Sequence, residues 1–342
     1  MPASHPASHP AAGSRTPPAP PAPIAPGITL IDLEYLGEQR SVAAVVLAGQ
    51  GAVALLDPGP TTTLDTLRRR LAELGASISD IESVLLTHIH LDHAGCTGTL
   101  VRENPRIRVY VHARGAAHVI DPARLLRSAT MIYGDRMAEL WGDVAPVPAA
   151  NVSVLEAENA LHIAGRPVRA AYTPGHAWHH VAYLDETSGV AFVGDTLGER
   201  YPGQSYVLPV TPPPDVDLER WSESLRRIRA WDPSQVVVTH FGAYPDAARH
   251  IDDLAAHLDS WAELVRASLA DGGGAAGGTA AGQAPSDDAR AAAFAARITA
   301  ELRQILPADV VARYAHSIPS SWVGLARYWR TRSAGVVPDA RA

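Results

Sequence analysis

The sequence predicts an α/β protein built from stacked layers, with a helical extension at its C-terminal end. Short apolar or alternating runs, which are typical of strands, alternate with helical patterns along most of the chain. A hairpin and several strand meanders interrupt this alternation, which favours stacked layers over a purely parallel, doubly wound sheet. From about residue 246 the pattern is helical only. These three observations define the expected fold class.

The N-terminal part of the chain is expected to contain a tail followed by strands. Residues 1–27 are rich in Pro and Ala and hold one large aliphatic residue, so we predict that they are disordered. Strands are predicted in "ITLIDLEYL", "SVAAVVLAG" and "AVALLDPGP". The next segment, "TTTLDTLRRRLAELG", predicts a helix that is capped by a Thr and ends before Gly75.

The middle of the chain returns to strands. "ESVLLTH" and "RIRVYVH" are predicted as buried strands, and residues 122–140 carry apolar positions spaced as in a helix. "RPVRAAYTPG", "HVAYLDETSGVAFVGD" and "QVVVTHFG" are predicted as further strands, the second forming a hairpin that turns at "ETSG". "DVDLERWSESLRRIRAW" predicts a helix. Residues 266–342 are predicted as the helical extension, with a flexible Gly-rich insertion at 271–288.

Composition limits the classes of partner and the expected location. The formal net charge is -7 and the basic residues form no runs, which disfavours nucleic-acid binding. Cys96 is the single cysteine, so an internal disulfide framework and a Cys-based zinc site are excluded. No apolar run has the length of a membrane span, and no secretory leader pattern is present. We therefore expect a cytoplasmic protein without a membrane partner.

The stretch "LLTHIHLDHAG" at 85–95 carries the clearest chemical signal. His88 and His90 follow an apolar strand and can point at one position, while Asp92 and His93 can point at a second position nearby. Imidazole and carboxylate in this spacing suit a pair of divalent cations. The alternative is a polar helix start with coincidental histidines. Because the chain has only 15 histidines, four such side chains in six positions disfavour that alternative.

Three further candidates each end a predicted strand. His176 lies in "YTPGHAW", Asp195 in "VAFVGDTLG" and His240 in "VVVTHFG". A buried polar group at a strand end is costly without a partner, and a metal ion would be such a partner. For each residue alone, a hydrogen-bonded structural role is an equal alternative. Together with the first cluster, the three residues favour a metal site.

The motifs "THIHLDH", "TPGH", "GD" and "TH", in this order, resemble the metallo-β-lactamase fold superfamily of hydrolases. The resemblance covers roughly residues 28–265 and implies an αββα sandwich with the catalytic site in this domain. It is strongest to a prokaryotic group related to glyoxalase II, for which it specifies no substrate. It implies one metal held by His88, His90 and His176, a second held by Asp92, His93 and His240, a bridging Asp195, and hydrogen-bond support of the ligands from Asp57 in "LLDPGP".

Three positions near these motifs depart from the family pattern or need a separate interpretation. His179 occupies a position where Gly is usual, and we expect a surface or pocket residue there. His180 is expected to donate a hydrogen bond that orients a ligand. Cys96 stands where a second Gly is common; a thiolate ligand is conceivable, but a packed thiol is the favoured interpretation.

The resemblance implies a dinuclear hydrolase that uses a metal-bridging hydroxide. Zinc is the expected metal, although the same ligands accept iron or manganese. Asp92 is the expected catalytic residue, because it is placed to orient the hydroxide proton and to pass it to the leaving group. Members of the superfamily that hydrolyse β-lactams generally lack the bridging aspartate, so the resemblance implies a substrate other than a β-lactam. The negative net charge of the chain argues against a nucleic acid. We therefore expect a small carbonyl substrate: a thioester, lactone or activated ester.

The substrate pocket is less well defined by the sequence. Trp178, Tyr201 and Tyr206 are candidate pocket residues, although each aromatic residue alone is more typical of a core. The C-terminal helices are expected either to close over the site or to form a homodimer contact, and their candidate aromatic residues are Tyr314, Trp322 and Tyr328.

Two alternative functions remain open at this point. One is an iron-dependent oxygenase of the persulfide dioxygenase type, which shares the fold but uses only part of the ligand set. The other is a non-catalytic interaction protein, which the intact ligand set disfavours.

Overall fold

Two β-sheets packed face to face form the centre of the molecule. The computed structural model describes residues 20–270 and 285–334. In the first sheet, four antiparallel strands are followed by three strands that pair in parallel. The seven strands lie side by side in chain order: β1 (Ala22–Ala25), β2 (Ile28–Asp32), β3 (Ala43–Gly49), β4 (Ala52–Leu56), β5 (Ile81–Leu85), β6 (Arg108–His112) and β7 (Val152–Leu155).

The second sheet contains six strands and includes the predicted hairpin. Its strands also lie in chain order, and all neighbours are antiparallel except one parallel pair, the fourth and fifth strands. The hairpin turns at 186–189, where Gly189 has a φ of 73°. The strands are β8 (Glu158–Ile163), β9 (Arg166–Tyr172), β10 (Val181–Asp185), β11 (Val190–Phe192), β12 (Gln235–Val238) and β13 (Gly242–Tyr244).

Helices cover the outer faces of both sheets, so the predicted αββα sandwich is confirmed. Leu67 and Leu100 pack with Val84 on the outer face of the first sheet. Val45 and Phe192 belong to the cluster between the sheets. The helices are α1 (Leu64–Glu73), α2 (Leu91–Ala94), α3 (Thr97–Glu103), α4 (Ala113–Ile120), α5 (Ala123–Tyr133), α6 (Met137–Leu140), α7 (Leu218–Ala230), α8 (Ala247–Ala270), α9 (Asp287–Leu302), α10 (Ala308–Tyr314) and α11 (Ile318–Ser333).

The C-terminal helices continue the outer layer of the second sheet. Trp322 and Leu325 of α11 share one buried cluster with Leu184 of β10 and Val236 of β12. The predicted domain boundary at 265 falls inside α8, because that helix runs without a break to residue 270. The extension is therefore built onto the sandwich through a common core.

Two predicted segment boundaries differ in the structure. Residues 1–19 of the predicted tail lie outside the described residues, but β1 falls within 1–27 and pairs with β2, so the predicted end of the tail is wrong. As an edge strand, β1 tolerates its proline. Of the predicted insertion, 271–284 lie outside the described residues. Its last two residues already belong to α9, whose N-cap is Ser286.

Other sequence expectations differ in detail. The predicted Thr cap of α1 is correct in position only: Thr63 is the N-cap residue, but its hydroxyl donates to Pro60 O in a short 3-10 turn at Thr61–Thr63 and forms no capping hydrogen bond. Three strands were not predicted: β7, β8 and β13. Most residues of β7 and β8 are partly or fully exposed, and β13 has only three residues. Within the described part of the chain, no helix combines the length and the hydropathy that crossing a bilayer requires.

Candidate metal centre

Loops that follow strands of both sheets bring the predicted ligands together. The first cluster follows β5, His176 lies between β9 and β10, and His240 follows β12. Asp195 lies in a 3-10 turn directly after β11. Gly194 begins that turn with a φ of 46°, and a Cβ there would lie 2.6 Å from Thr87 Oγ1. The close approach of the two loops therefore explains why glycine precedes Asp195.

His88, His90, His176 and Asp195 form one group of converging side chains, which we call group 1. All their ligand atoms lie within 4.8 Å of one another. The Nδ1 atom of His90 lies 2.8 Å from His88 Nε2 and 3.2 Å from His176 Nε2. Three ring nitrogens therefore point at a common position.

Asp92, His93 and His240 form a second group, group 2, with ligand atoms within 4.8 Å of one another. The Oδ2 atom of Asp92 lies 3.3 Å from His240 Nε2 and 3.7 Å from His93 Nε2. His93 is fully buried, whereas Asp92 and His240 retain side-chain exposures of 24% and 15%. Group 2 is therefore open to solvent on the side of Asp92 and His240.

The carboxylate of Asp195 faces both groups with different oxygens. Its Oδ1 lies 3.3 Å from His93 Nε2 and 3.6 Å from His240 Nε2. Its Oδ2 lies 3.6 Å from His176 Nε2. One carboxylate thus stands between two sets of imidazoles, with one oxygen directed at each set.

Asp57 orients the His93 ring by a direct hydrogen bond and the His88 ring through Thr87. Asp57 Oδ2 accepts from His93 Nδ1 at 2.9 Å, which leaves Nε2 of that ring directed at group 2. The same oxygen accepts from the Thr87 hydroxyl at 2.6 Å, and Oδ1 accepts from Thr87 N at 2.8 Å. Thr87 Oγ1 lies 3.1 Å from His88 Nδ1 and can accept its proton. The predicted support of the ligands by Asp57 is visible in these contacts.

Backbone carbonyls orient two further imidazoles. His176 Nδ1 donates to Val210 O at 2.8 Å, and His240 Nδ1 donates to Ser41 O at 2.9 Å. In both rings the Nε2 atom is therefore free to bind a ligand, as is usual where a second hydrogen bond sets the tautomer of a metal-binding histidine.

The two groups differ in their electrostatics. In group 1, burial and the neighbouring imidazoles lower the pKa of His88 well below its usual value and that of His90 to about 3. In group 2, burial opposes protonation of the histidines, but nearby carboxylates outweigh it. Asp195 and Asp92 raise the pKa of His240 to about 9. The same two carboxylates, together with Asp57, raise the pKa of His93 well above its usual value. The imidazoles of group 1 are therefore neutral at physiological pH and Asp195 is ionised, whereas a cation at group 2 would displace protons from its imidazoles.

The residues fit a divalent metal site. His93 Nε2 and Asp195 Oδ1 are both buried, and neither forms a hydrogen bond with any described residue. Buried polar atoms are normally satisfied, and only ion pairs of 3.3 Å or longer reach these two atoms, so a metal ion would supply the missing partner. Imidazole nitrogen and carboxylate oxygen are ligands that zinc, iron and manganese accept.

His180 does not act as predicted. Its Nδ1 lies 2.9 Å from the Thr173 hydroxyl and 3.0 Å from that of Thr196, and its Nε2 is buried without a hydrogen bond among the described residues. The ring stacks on His88 with centroids 5.1 Å apart. The predicted donation to a ligand is therefore replaced by packing behind group 1.

His179 and Cys96 are both buried. His179 stacks on His88, accepts a hydrogen bond of 3.4 Å from Ile89 N at its Nδ1, and is 9% exposed, so it is a buried neighbour of group 1 and not a surface residue. Cys96 is fully buried, and burial raises the pKa of its thiol. The prediction of a packed thiol is confirmed.

The predicted pocket aromatics have packing contacts. Trp178 lies against the Arg114 guanidinium at 5.2 Å, and Tyr201 lies below that of Arg313 at 5.0 Å. Tyr206 stacks on His257 at 4.2 Å and packs against the helical core. A role of these three residues in substrate binding stays a prediction. The C-terminal aromatics are buried in that core: Tyr314, Trp322 and Tyr328.

Several residues near the site were not singled out from the sequence. Thr87 connects Asp57 to His88, and its place inside "THIH" was the available signal. Glu199 follows Asp195 by four positions; burial and Asp195 raise its pKa to about 7. Tyr35 lies near Asp92: burial is the main cause that raises the pKa of Tyr35, and the charge of the Asp92 carboxylate raises it further. Neither Glu199 nor Tyr35 stands in a recognisable motif.

Comparison with known families agrees with this arrangement. The family model described as "Metallo-beta-lactamase superfamily" matches residues 37–240, which include all seven converging side chains. The chain belongs to the metallo-beta-lactamase superfamily. A solved structure of a metallo-beta-lactamase family protein, TTHA1429 from Thermus thermophilus, superposes with a TM-score of 0.62 at 25% identity, covering 91% of this chain and 96% of that one.

Two curated relatives of this superfamily member are hydrolases by name. A hydroxyacylglutathione hydrolase of Synechococcus is 30% identical over 144 residues, which are 42% of this chain and 43% of the relative. An atrochrysone carboxyl ACP thioesterase of Aspergillus fumigatus is 30% identical over 169 residues, 48% of this chain and 41% of the relative. The chain thus aligns with less than half of the length of each.

Proposed function

We propose that this chain is a dinuclear metal-dependent hydrolase of a small carbonyl substrate, a thioester, lactone or activated ester. The observation that carries the proposal is the position of Asp195, whose two oxygens face separate sets of imidazoles. A single cation would need only one of these sets. The names of the hydroxyacylglutathione hydrolase and the ACP thioesterase support hydrolysis of a thioester.

Group 1 and group 2 would hold one divalent cation each, with Asp195 between them. Two such cations, when bound, lower the pKa of water between them and polarise the substrate carbonyl. Zinc is the proposed metal, because imidazole and carboxylate are its usual ligands in hydrolases.

The side chains of the protein would orient the reacting groups. Asp92 is partly exposed at the open side of group 2 and stays ionised, because His93 and His240 lower its pKa more than burial raises it. It is therefore placed to accept the proton of the attacking water and to return it to the leaving group. Asp57 keeps the His93 ring in one tautomer, so that Nε2 remains free for metal.

Metal analysis combined with a substrate screen tests the proposal. We expect about two equivalents of zinc per chain and turnover of thioester or lactone substrates. Asp195→Asn should reduce the bound metal and lower kcat/KM by at least about a hundredfold, as expected for the loss of a shared ligand. Asp185→Asn is a matched control, because this buried carboxylate binds Arg166 instead.

Two results would contradict the proposal. One iron per chain with oxygen uptake would assign the protein to an oxygenase of the persulfide dioxygenase type. Equal turnover by the wild type and Asp195→Asn would place the reaction outside this site.

A further inference from the structure

Three aromatic side chains form a stack beside the metal centre, which we call the aromatic wall: Tyr35, Trp141 and Tyr133. The rings of Tyr35 and Trp141 are parallel within 11° at a centroid distance of 5.7 Å. Tyr133 meets Trp141 edge to face at 5.2 Å. The three residues come from a loop after β2, from the residue after α6 and from the end of α5, so the wall is a product of the tertiary structure.

The aromatic wall packs against α2, the short helix that carries Asp92 and His93 of group 2. Trp141 shares a small buried cluster with Leu91, which lies between His90 and Asp92 in the chain, and Tyr35 packs against the same cluster. Burial raises the pKa of both phenols, and the negative charge of Asp92 raises it further. The pKa of Tyr133 is raised to about 12 in this way. Both hydroxyls therefore stay protonated hydrogen-bond donors near Asp92.

Two donors of the wall lack a protein partner. Tyr35 Oη and Trp141 Nε1 are buried and form no hydrogen bond with any described residue. Buried polar atoms of this kind are uncommon. Because both atoms are closed off from solvent, an acceptor from a ligand would reach them only after the neighbouring side chains move. Trp141 is nevertheless held in place, because its carbonyl accepts from Thr61 N at 3.1 Å.

The loop that carries Tyr35 has an unusual backbone. Glu34 and Leu36, on both sides of Tyr35, have positive φ values of 51° and 54° although neither is glycine. Asp32 holds this loop by accepting from Glu34 N at 3.0 Å and from Arg40 N at 2.8 Å. Such conformations cost free energy and are concentrated where residues contact ligands.

Exposed apolar side chains lie close to the wall tyrosines in the chain, and we call them the apolar extension. Leu36 is 50% exposed, and at the end of α5 Met131 and Ile132 are 83% and 62% exposed. Leu36 directly follows Tyr35, and Ile132 directly precedes Tyr133. Exposed apolar side chains beside a site can contact an apolar ligand.

We propose that the aromatic wall and its apolar extension bind the acyl chain of a thioester or ester whose carbonyl lies at the metal centre. This inference rests on the proposed hydrolase function and adds the substrate class: an apolar acyl group of several carbons. The packing of the wall on Leu91, the residue before Asp92, is the reason to assign it to the substrate of this site. A shift of the neighbouring side chains on binding would let the Tyr35 hydroxyl donate to a polar atom of that substrate.

A series of thioesters of one thiol tests this assignment. Acetyl, butyryl, hexanoyl and octanoyl thioesters of N-acetylcysteamine share a leaving group and differ only in chain length. If the chain lies on the wall, kcat/KM should rise about two- to fourfold for each added methylene until the wall is covered. Titration calorimetry with the acid products should show octanoate binding more tightly than butanoate.

Variants separate the apolar role of the wall from a general effect on the enzyme. Trp141→Ala should flatten the dependence on chain length. Ile132→Ser, at an exposed position that folding does not require, should weaken it for the longest chains. Tyr35→Phe should lower kcat/KM about three- to tenfold equally for all lengths, since only a hydrogen bond is lost. Trp231→Ala, at a half-buried tryptophan on α7's C-terminal end, is the matched control and should keep the full dependence.

The outcomes distinguish the two proposals. If no thioester or ester is hydrolysed at the metal centre, the hydrolase function fails. If Asp195→Asn abolishes hydrolysis but kcat/KM is independent of chain length in the wild type, the hydrolase stands and the acyl assignment is overturned. The assignment is also overturned if Ile132→Ser changes the sedimentation coefficient but not the length dependence, because the patch would then be a contact between copies.

Discussion

At the scale of single residues, Asp57 holds several parts of the metal centre together through hydrogen bonds. It accepts hydrogen bonds from the backbone and hydroxyl of Thr87, from His93 and from Thr239. Its φ of 45° is in the left-handed region, which Asp and Asn tolerate better than other non-glycine residues. The residue therefore combines a turn conformation with four accepted hydrogen bonds.

Asp57→Asn should preserve the turn but weaken the metal centre. The amide would direct a donor at His93 Nδ1 or at the Thr87 hydroxyl, and His93 would then favour the tautomer with a proton on Nε2. We expect the affinity for the metal at group 2 to fall about 10- to 100-fold. Competition with a chelator, followed by metal quantification, measures the change. Unaltered affinity would mean that Asp57 does not orient His93.

The raised pKa of His240 predicts how the stability of the metal-free protein depends on pH. A folded-state pKa of about 9, above the ordinary 6.5, means that protonation stabilises the folded state. This stability is fully present below pH 6.5 and is lost as the pH rises through about 9. Histidines whose pKa is lowered, such as His88, bind protons near pH 6.5 only in the unfolded chain, so they raise the stability up to about pH 7.5 and add little slope above it.

Urea unfolding in the presence of a chelator should therefore show a midpoint that falls between about pH 7.5 and 9. His240→Gln should show a smaller decline, since Gln does not titrate. With metal bound, the imidazole is already deprotonated and the decline should disappear. A midpoint that rises over the same interval would contradict the assigned charge state.

At the level of elements, local patterns and long-range contacts contribute differently. Strands such as β5 and β12, with continuous apolar runs, and α7, with Asp217 as its N-cap, were predictable because their signals lie within a few residues. Strands β7 and β8 were not, since half-exposed strands depend on their neighbours in the sheet. At α1 the predicted Thr is the N-cap residue, but the preceding turn directs the Thr63 hydroxyl to Pro60 O, so it forms no capping hydrogen bond.

A glycine in α11 shows how an element is adapted to its neighbour. Alanine normally stabilises a helix relative to glycine. At Gly324, however, a Cβ would lie 2.0 Å from Thr211 O, so the helix packs directly on the loop that precedes α7. Gly324→Ala should lower the free energy of unfolding by about 1–3 kcal/mol.

Val323→Ala is the control for this substitution, because Val323 is adjacent in the helix and 43% exposed. We expect a change within about 0.5 kcal/mol for it. Denaturant titration of both variants measures the difference. Stabilisation by Gly324→Ala would show that the helix does not lie so close to the loop.

At the scale of the whole molecule, the C-terminal helices and the second sheet form one hydrophobic core. Trp261 of α8 packs edge to face with Phe294 of α9 at 5.3 Å, and both belong to the cluster that contains Trp221 of α7. The sequence suggested an appended extension, because composition and periodicity do not show which elements share a core. Burial shows that the helices complete the outer layer.

Removal of α9–α11 should therefore destabilise the entire sandwich. A chain ending at Ala270 would expose to water the face of α8 that packs on α9 and α11, including Trp261 and Ala262. We expect this chain to be insoluble or to lack a cooperative unfolding transition in circular dichroism. A soluble fragment with a sharp transition would mean that the sandwich folds without these helices.

The sequence by itself determined the types and the chain order of the converging residues. Strand-end motifs such as "THIHLDH" are local, so His88 or Asp92 can be recognised without coordinates, and the resemblance of the motifs indicated the layered fold. The same local signals marked most strands and the helix α7. They depend on side-chain chemistry and on periods of two or about 3.6 residues, which short segments contain.

Only the tertiary structure decided how these residues meet. The two oxygens of Asp195 face different imidazole sets because loops from both sheets converge. Thr87 joins Asp57 to His88 because the neighbouring parallel strands β4 and β5 end side by side. The stack of Tyr35 on Trp141 joins segments about a hundred residues apart. Contacts of this kind depend on the packing of distant segments, and no local pattern in the chain encodes them.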